Sequence, residues 1–314
     1  MSHPIRGLHH VTATVDEAQD DLDFCVGALG LRLVKKTVNF DNHHVYHFYY
    51  ADERGSAGTI WTTFPYAGHG VPVGRKGAGQ VVTTSLSVPA GALAFWRTRL
   101  AKRGIAVTDV ADRFGDAVIA FADTSGLEFE LIANKHDHRA PWIADGFDHD
   151  TAVRGVHSVT MTVASEIGTL DLMTSVLGYH VVDRQDNRIR VGVGQATPGK
   201  VIDIVVDPAA PPAINGVGTV HHVAMAIDGA EAQLALRERL LEYGSKVTEV
   251  RDRCYFTSIY FREPGGVLFE VATVGPGFAV DEPLDQLGTG LKLPHWEEPH
   301  RALIERGLAP VEVP

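Results

Sequence analysis

Cysteine is nearly absent: Cys25 and Cys254 are the only two in 314 residues, and they form no CxxC pair. That excludes a disulfide framework and fits a reducing, cytoplasmic compartment. No apolar run reaches 18 residues, so no transmembrane helix is expected. The opening MSHPIRGLHH has no apolar h-region, so no secretory signal is expected. Positive charge is scarce as well. Lys and Arg number 28 against 39 Asp and Glu, a net charge of −11 with His neutral. This argues against a nucleic-acid backbone or an anionic membrane as partner. With 45% hydrophobic and 21% charged residues the chain reads as globular. Its length suits about two domains of roughly 150 residues.

Histidine, by contrast, is plentiful and paired. Chance pairing of 16 His in this chain yields about one HH doublet, and there are three. Two lie in strand-like segments, Leu8-His9-His10-Val11 and Val220-His221-His222-Val223. The third, His43-His44, reads as a loop or edge feature. A carboxylate, Glu270, interrupts the apolar run Val267-Leu268-Phe269-Glu270-Val271. Two imidazoles and one carboxylate are the donor set of a non-haem Fe(II) facial triad.

A strand–helix–three-strand pattern recurs about every 70 residues. The first copy reads as a strand at 7–15, a helix at 17–29 and strands at 31–40, 44–50 and 59–64. The second has a strand at 81–88, a helix at 90–103 and strands at 107–113, 117–122 and 127–133. The third has a strand at 156–163, a helix near 167–177 and strands at 179–183, 188–193 and 201–206. The fourth has a strand at 220–227, a helix at 230–243 and strands at 246–252, 256–262 and 267–273. Gly30, Gly104, Gly178 and Gly244 stop the four helices at the same point. The fold class is therefore α+β, built from four βαβββ modules. The polar stretch 134–151 reads as a linker, giving modules one and two in 1–140, modules three and four in 152–276, and a tail at 277–314 with a short helix near 298–306.

Strand alternation sorts the side chains. Val223, Met225 and Ile227 share the helix-packed face, leaving His222 and Ala224 on the other; Glu270 falls on that open face too, with Ser258 and Tyr260. His10, Thr12 and Thr14 match them in the first copy. The second His of each doublet is thus the ligand candidate, and alternation points His9 and His221 away. The position of Glu270 is held by Thr62 in copy one, Glu130 in copy two and Asp203 in copy three. Copy two offers only Thr83-Thr84 and copy three Ser158 where the ligand His would stand, so these copies read as vestigial, metal-free sites. His47 and Tyr49 share a strand face and read equally as pocket wall or core.

At these residues the chain resembles the vicinal oxygen chelate superfamily (glyoxalase, bleomycin resistance protein and extradiol dioxygenase), over nearly its whole length. It looks most like the ring-cleaving dioxygenases that act on hydroquinones, such as 2,6-dichlorohydroquinone dioxygenase. The stretches that carry the likeness are GLHHVT, TVNFDN, YHFYYAD, GTIWTTFP, GTVHHVA and YFREPGGVLFEVAT. The resemblance implies two half-open sheet cups, copy one pairing with four and copy two with three. It implies His10, His222 and Glu270 as metal ligands, with His9, Thr12, His221, Arg253 and Tyr260 assisting. It implies Fe(II), with Mn(II) as the alternative, and a small dihydroxylated aromatic plus O2 as reactants; a homo-oligomer is compatible with it. Without it, Arg253 reads equally as a surface ion pair with Asp252, and Tyr260 as a buried Tyr with a satisfied hydroxyl. Trp61 stands where the pattern has a smaller aliphatic residue, and the third copy looks shortened; both leave substrate size open.

The expected activity is Fe(II)-dependent extradiol-type cleavage of a hydroquinone, inserting O2 beside a hydroxyl-bearing carbon. A catechol extradiol dioxygenase shares these ligands but usually draws all of them from the second half of the chain. A glyoxalase-type lyase or isomerase usually has a fourth protein ligand, where this chain has Thr62. A sequestering module without catalysis lacks the triad.

Overall fold

The computed structural model describes residues 4–314. Module one comprises β1 (Ile5–Val15), α1 (Ala18–Leu22), β2 (Arg32–Asn39), β3 (Asn42–Ala51) and β4 (Ile60–Pro65). Module two has β5 (Gln80–Val88), α2 (Leu93–Lys102), β6 (Thr108–Asp109), β7 (Val118–Ala122) and β8 (Glu128–Ala133). Module three has β9 (Gly155–Val163), α3 (Ile167–Ser175), β10 (His180–Gln185), β11 (Arg188–Gly192) and β12 (Val201–Val206). Module four has β13 (Thr219–Ile227), α4 (Ala230–Glu242), β14 (Arg251–Asp252), β15 (Thr257–Arg262) and β16 (Leu268–Thr273). Residues 134–151 contain no helix or strand. The tail carries α5 (Arg301–Gly307).

The strands form two eight-stranded sheets, in the orders β14-β15-β16-β13-β1-β4-β3-β2 and β10-β11-β12-β9-β5-β8-β7-β6. Modules one and four thus build the first cup, and modules two and three the second. Each seam is antiparallel, β1 on β13 and β5 on β9. Within each module the first and last strands are parallel neighbours, as in β13 with β16. The faces opposite the cups share one apolar core, joining Val11, Trp96, Phe129, Met161 and Val223.

Two expectations change. The first helix is not one α-helix: α1 ends at Leu22 and the chain continues as a π-turn over Asp23–Ala28, with Leu29 N–H bonded to the Phe24 carbonyl at 2.9 Å. The wider turn keeps Phe24, Cys25 and Ala28 buried beside Asp21. The strands expected at 107–113 and 246–252 shrink to the two-residue β6 and β14. Both are sheet edges, where only one neighbour offers hydrogen bonds and short strands blunt unwanted pairing.

The tail closes the free edge of the first cup. Lys35 on β2 is fully buried, ion-paired to Asp281 and Glu282. The His43 ring meets Glu297 at 3.0 Å, and Tyr46 donates to the Ala309 carbonyl at 2.9 Å. The third HH doublet is therefore an edge feature that receives the tail.

Under the first cup Asp21 is buried, accepting from Tyr50 at 2.7 Å and from Thr63. Burial pushes its carboxyl up to about 6, against the opposing pull of those donors. An unfolded Asp ionises near pH 4, so this group costs stability as pH rises from 4 to 6 and above. Asp21→Asn should therefore gain on the parent protein by up to about 3 kcal/mol between pH 4 and 8. Paired thermal melts across that range check it; a pH-independent difference would contradict the assignment.

Candidate active site

β1 and β13 lie side by side, with Thr12 opposite His222 and His10 opposite Ala224. Beside each ligand candidate the register shifts by an extra residue, His9 on β1 and His221 on β13. A bulge of this kind breaks alternation and re-aims a side chain. Alternation had placed His9 and His221 away from the ligands. The bulges instead bring each against its neighbour, with His9 Nδ1 2.8 Å from His10 Nδ1 and His221 Nδ1 2.7 Å from His222 Nδ1.

The remaining ring nitrogens converge on Glu270, which β16 places beside Ala224. His10 Nε2 and His222 Nε2 are 3.2 Å apart, and Glu270 Oε2 lies 3.2 Å from the first and 2.8 Å from the second. All three residues are buried. Donors about 2.1 Å from a metal and at right angles stand about 3 Å from one another, so the triangle fits one face of an octahedral ion. Glu270 Oε2 is buried without a hydrogen-bond partner, while Oε1 accepts from Ser258. Burial opposes the Glu270 charge, but the His10 and His222 rings, when a proton sits on the Nε2 facing it, outweigh burial by attraction and donation and hold the carboxyl well below the usual range; a bound cation would take the place of that proton. Burial pushes His222 down, favouring the neutral ring whose Nε2 lone pair can ligate. Its Nδ1 then carries the proton and donates to His221. Burial and the adjacent ring push both His9 and His221 down to about 3, so each is a neutral acceptor.

A cavity of roughly 260 Å³ opens on the triad, and His221, Arg253 and Tyr260 line it. Tyr260 pairs with Glu270 across β15 and β16. Arg253 donates from Nε to the Tyr260 hydroxyl at 3.0 Å and from Nη2 to Asp41 at 3.1 Å. Asp41, and not Asp252, is its ion-pair partner. Burial and the Glu270 charge push the Tyr260 phenol up, so it stays protonated and can donate. Thr12 does not line the cavity: its hydroxyl accepts from Thr62 at 2.9 Å, and Thr62 in turn meets His47 Nε2 at 2.9 Å.

His47 and Tyr49 are cavity wall, joined by Phe64, Tyr66, Phe256 and Asn39, which sequence reasoning did not single out. Asn39 Nδ2 donates to the Tyr66 hydroxyl at 3.1 Å. Asn39 and Phe64 fall within TVNFDN and GTIWTTFP, but no repeat position marked them; Tyr66 and Phe256 lie just beyond strand ends and fall in neither a repeat position nor a quoted stretch. Trp61 belongs to the core instead, with its ring 4.9 Å from Phe129, and does not limit the cavity.

The profile of the Glyoxalase/Bleomycin resistance protein/Dioxygenase superfamily matches residues 155–271. The chain is 41% identical over 313 residues to MhqO of Bacillus subtilis, a proposed ring-cleaving dioxygenase, covering 100% of this chain and 99% of that protein. The chain belongs to this superfamily. It is 37% identical over 295 residues to the chlorohydroquinone/hydroquinone 1,2-dioxygenase of Sphingobium indicum, covering 92% and 91% of the two chains. A crystal structure of a proposed dioxygenase from Bacillus subtilis superposes with a TM-score of 0.95 at 41% identity, covering 100% and 99%. The glyoxalase/extradiol dioxygenase fold implied by the resemblance is the one observed.

His222→Ala and Glu270→Ala should each lose stoichiometric metal after anaerobic loading and desalting, measured by elemental analysis. Ser258→Ala should keep the fold and weaken metal affinity by about 10-fold or more, because it frees Glu270 Oε1. Unchanged metal content in the first two variants would show the ligand assignment to be wrong.

Proposed function

We propose that this protein is a ring-cleaving dioxygenase acting on a hydroquinone-type aromatic, with Fe(II), or Mn(II) in its stead, held by His10, His222 and Glu270. The observation that carries the reading is the buried two-His, one-carboxylate triangle opening on an aromatic-walled cavity. Only three protein donors converge there among the described residues, which leaves coordination positions for reactants. The relatives' names point to the same chemistry. Fe(II) held by these residues would supply a redox-active Lewis acid for the ring hydroxyl and for O2.

The chain's own groups do the rest. His47, Tyr49, Phe64 and Phe256 confine a planar ring and exclude water. Tyr260, its oxygen occupied as acceptor by Arg253, directs its O–H toward oxygen on the substrate and acts as proton donor. Arg253 stabilises the negative charge that develops there. His9 and His221 fix the ligand tautomers by accepting from Nδ1. His221 also lines the cavity beside the ligand it orients, whereas Thr12 positions the wall through Thr62. A para hydroxyl needs a polar partner on the wall, and the Asn39–Tyr66 pair provides one among aromatic rings. Both atoms of O2 enter the product: the bond beside a hydroxyl-bearing carbon breaks, and its ends become a carboxyl and a carbonyl.

Anaerobic reconstitution with Fe(II), and in parallel Mn(II), followed by oxygen uptake tests this. Hydroquinone should consume one O2 per ring, faster than catechol, and a methylglyoxal–glutathione adduct should not react. No uptake with any dihydroxybenzene at full metal occupancy would overturn the proposal. Tyr260→Phe should retain iron and lose about 100-fold in kcat; an unchanged rate would remove Tyr260 from proton transfer.

A further inference from the structure

The second cup repeats the first in detail, bulges included. The register between β5 and β9 shifts at Val82 and at His157, the counterparts of His9 and His221. Ser85 stands opposite Glu130 and Thr160 opposite Asp203, so both carboxylate positions are occupied. Thr83 and Ser158 stand where the ligand histidines would be, and guanidinium groups neutralise the carboxylates. Arg190 binds Asp203 through two bonds of 2.7 and 2.9 Å, with the Phe114 ring 4.2 Å above its guanidinium. Arg113 pairs with Glu130, whose other oxygen accepts from Ser85 at 2.8 Å.

Arg113 precedes Ala120 by the same seven residues that separate Arg253 from Tyr260, and Ala120 faces Glu130 as Tyr260 faces Glu270. The residue after each arginine is left-handed, Phe114 at φ 49° and Cys254 at φ 62°. The small Ala120 leaves open the space that a tyrosine ring fills in the first cup. A cavity of about 650 Å³ occupies this cup, lined by Arg113, Arg188, Val82, Val110, Ala120 and Val205 among others. The volume suits a small ligand.

The two arginines at this cavity are underused. A guanidinium has five N–H donors. Arg113 gives one bond to Glu130, and its Nε is buried without a partner. Arg188 uses Nη1 alone, on Thr160 at 2.8 Å and Asp203 at 3.3 Å. Burial and the neighbouring Arg113 charge push Arg188 down, the sign of two cations held close together. The other charged residue lining the cavity, Glu128, is paired with Lys76 at 2.8 Å.

We propose that the second cup is a binding site for a small organic carboxylate with a planar apolar body, its carboxylate held between Arg113 and Arg188 and its body against Val82, Val110 and Val205. Free guanidinium donors match a carboxylate fork, and the apolar wall favours a carbon body over a bare anion. The site is independent of the chemistry in the first cup.

Titration calorimetry of the metal-loaded protein with benzoate tests it, with acetate as the comparison. Saturable 1:1 binding is expected, at least 10-fold tighter for benzoate than for acetate. Arg188→Gln, which leaves Asp203 held by Arg190, should weaken benzoate at least 10-fold, and Arg188→Lys should restore part of it. The double variant Arg113→Gln with Glu130→Gln, which keeps the buried pair neutral, should weaken it too. His222→Ala should bind benzoate as the parent does. Absence of saturable heat, equal binding of acetate, parental affinity in Arg188→Gln, or loss of binding in His222→Ala would each overturn the proposal.

Discussion

The antiparallel seam between β1 and β13 is the constraint on which the site depends. His10 and His222 are 212 residues apart in the chain, yet their Nε2 atoms approach to 3.2 Å because the two strands share hydrogen bonds. Glu270 joins them because β16 lies parallel to β13 on the far side. Neither half of the chain holds the full donor set. The buried carboxylate and imidazoles are costly without a counterpart, and their arrangement stays open to an ion because Ser258 satisfies only one oxygen of Glu270.

Two cups with the same strand order and the same pair of bulges thus carry different chemistry. In the first, imidazoles leave a carboxylate oxygen free for an ion. In the second, guanidinium groups occupy both carboxylates and turn the cup into a site rich in donors. The backbone sets where polar groups meet, and the side chains at four repeat positions decide whether a cation or an anion fits there.

The tail adds an asymmetry between the cups. Lys35 reaches Asp281 and Glu282 from a fully buried position, and removing one member of such a set leaves an uncompensated charge. The tail thereby covers β2 and β3, the strands that carry Asn39, His47 and Tyr49 to the cavity. It is part of the wall's support, although none of its residues lines the cavity.

Much of this was legible in the sequence because the information is periodic. Repeated glycine stops, period-two strands and the pairing of a carboxylate with an imidazole position are local patterns, and they suffice for four modules and for His10, His222 and Glu270. What escaped was everything that breaks the period or crosses the chain. The bulges at His9 and His221 are defined only against a partner strand, so alternation assigned both residues to the wrong direction. Arg253 looked to its neighbour Asp252, but β14 carries it to Asp41 in another module. Tyr66 and Phe256 have no distinguishing pattern, and Asn39 none beyond its stretch, until loops and strands of modules one and four meet around one cavity. The sequence by itself determined the modules and the types of donor group in the triad, since hydrophobic period and side-chain chemistry are properties of each segment. Tertiary structure alone decided the ring orientations, the arginine's partner and the cavity wall, because these depend on register between strands distant in the chain.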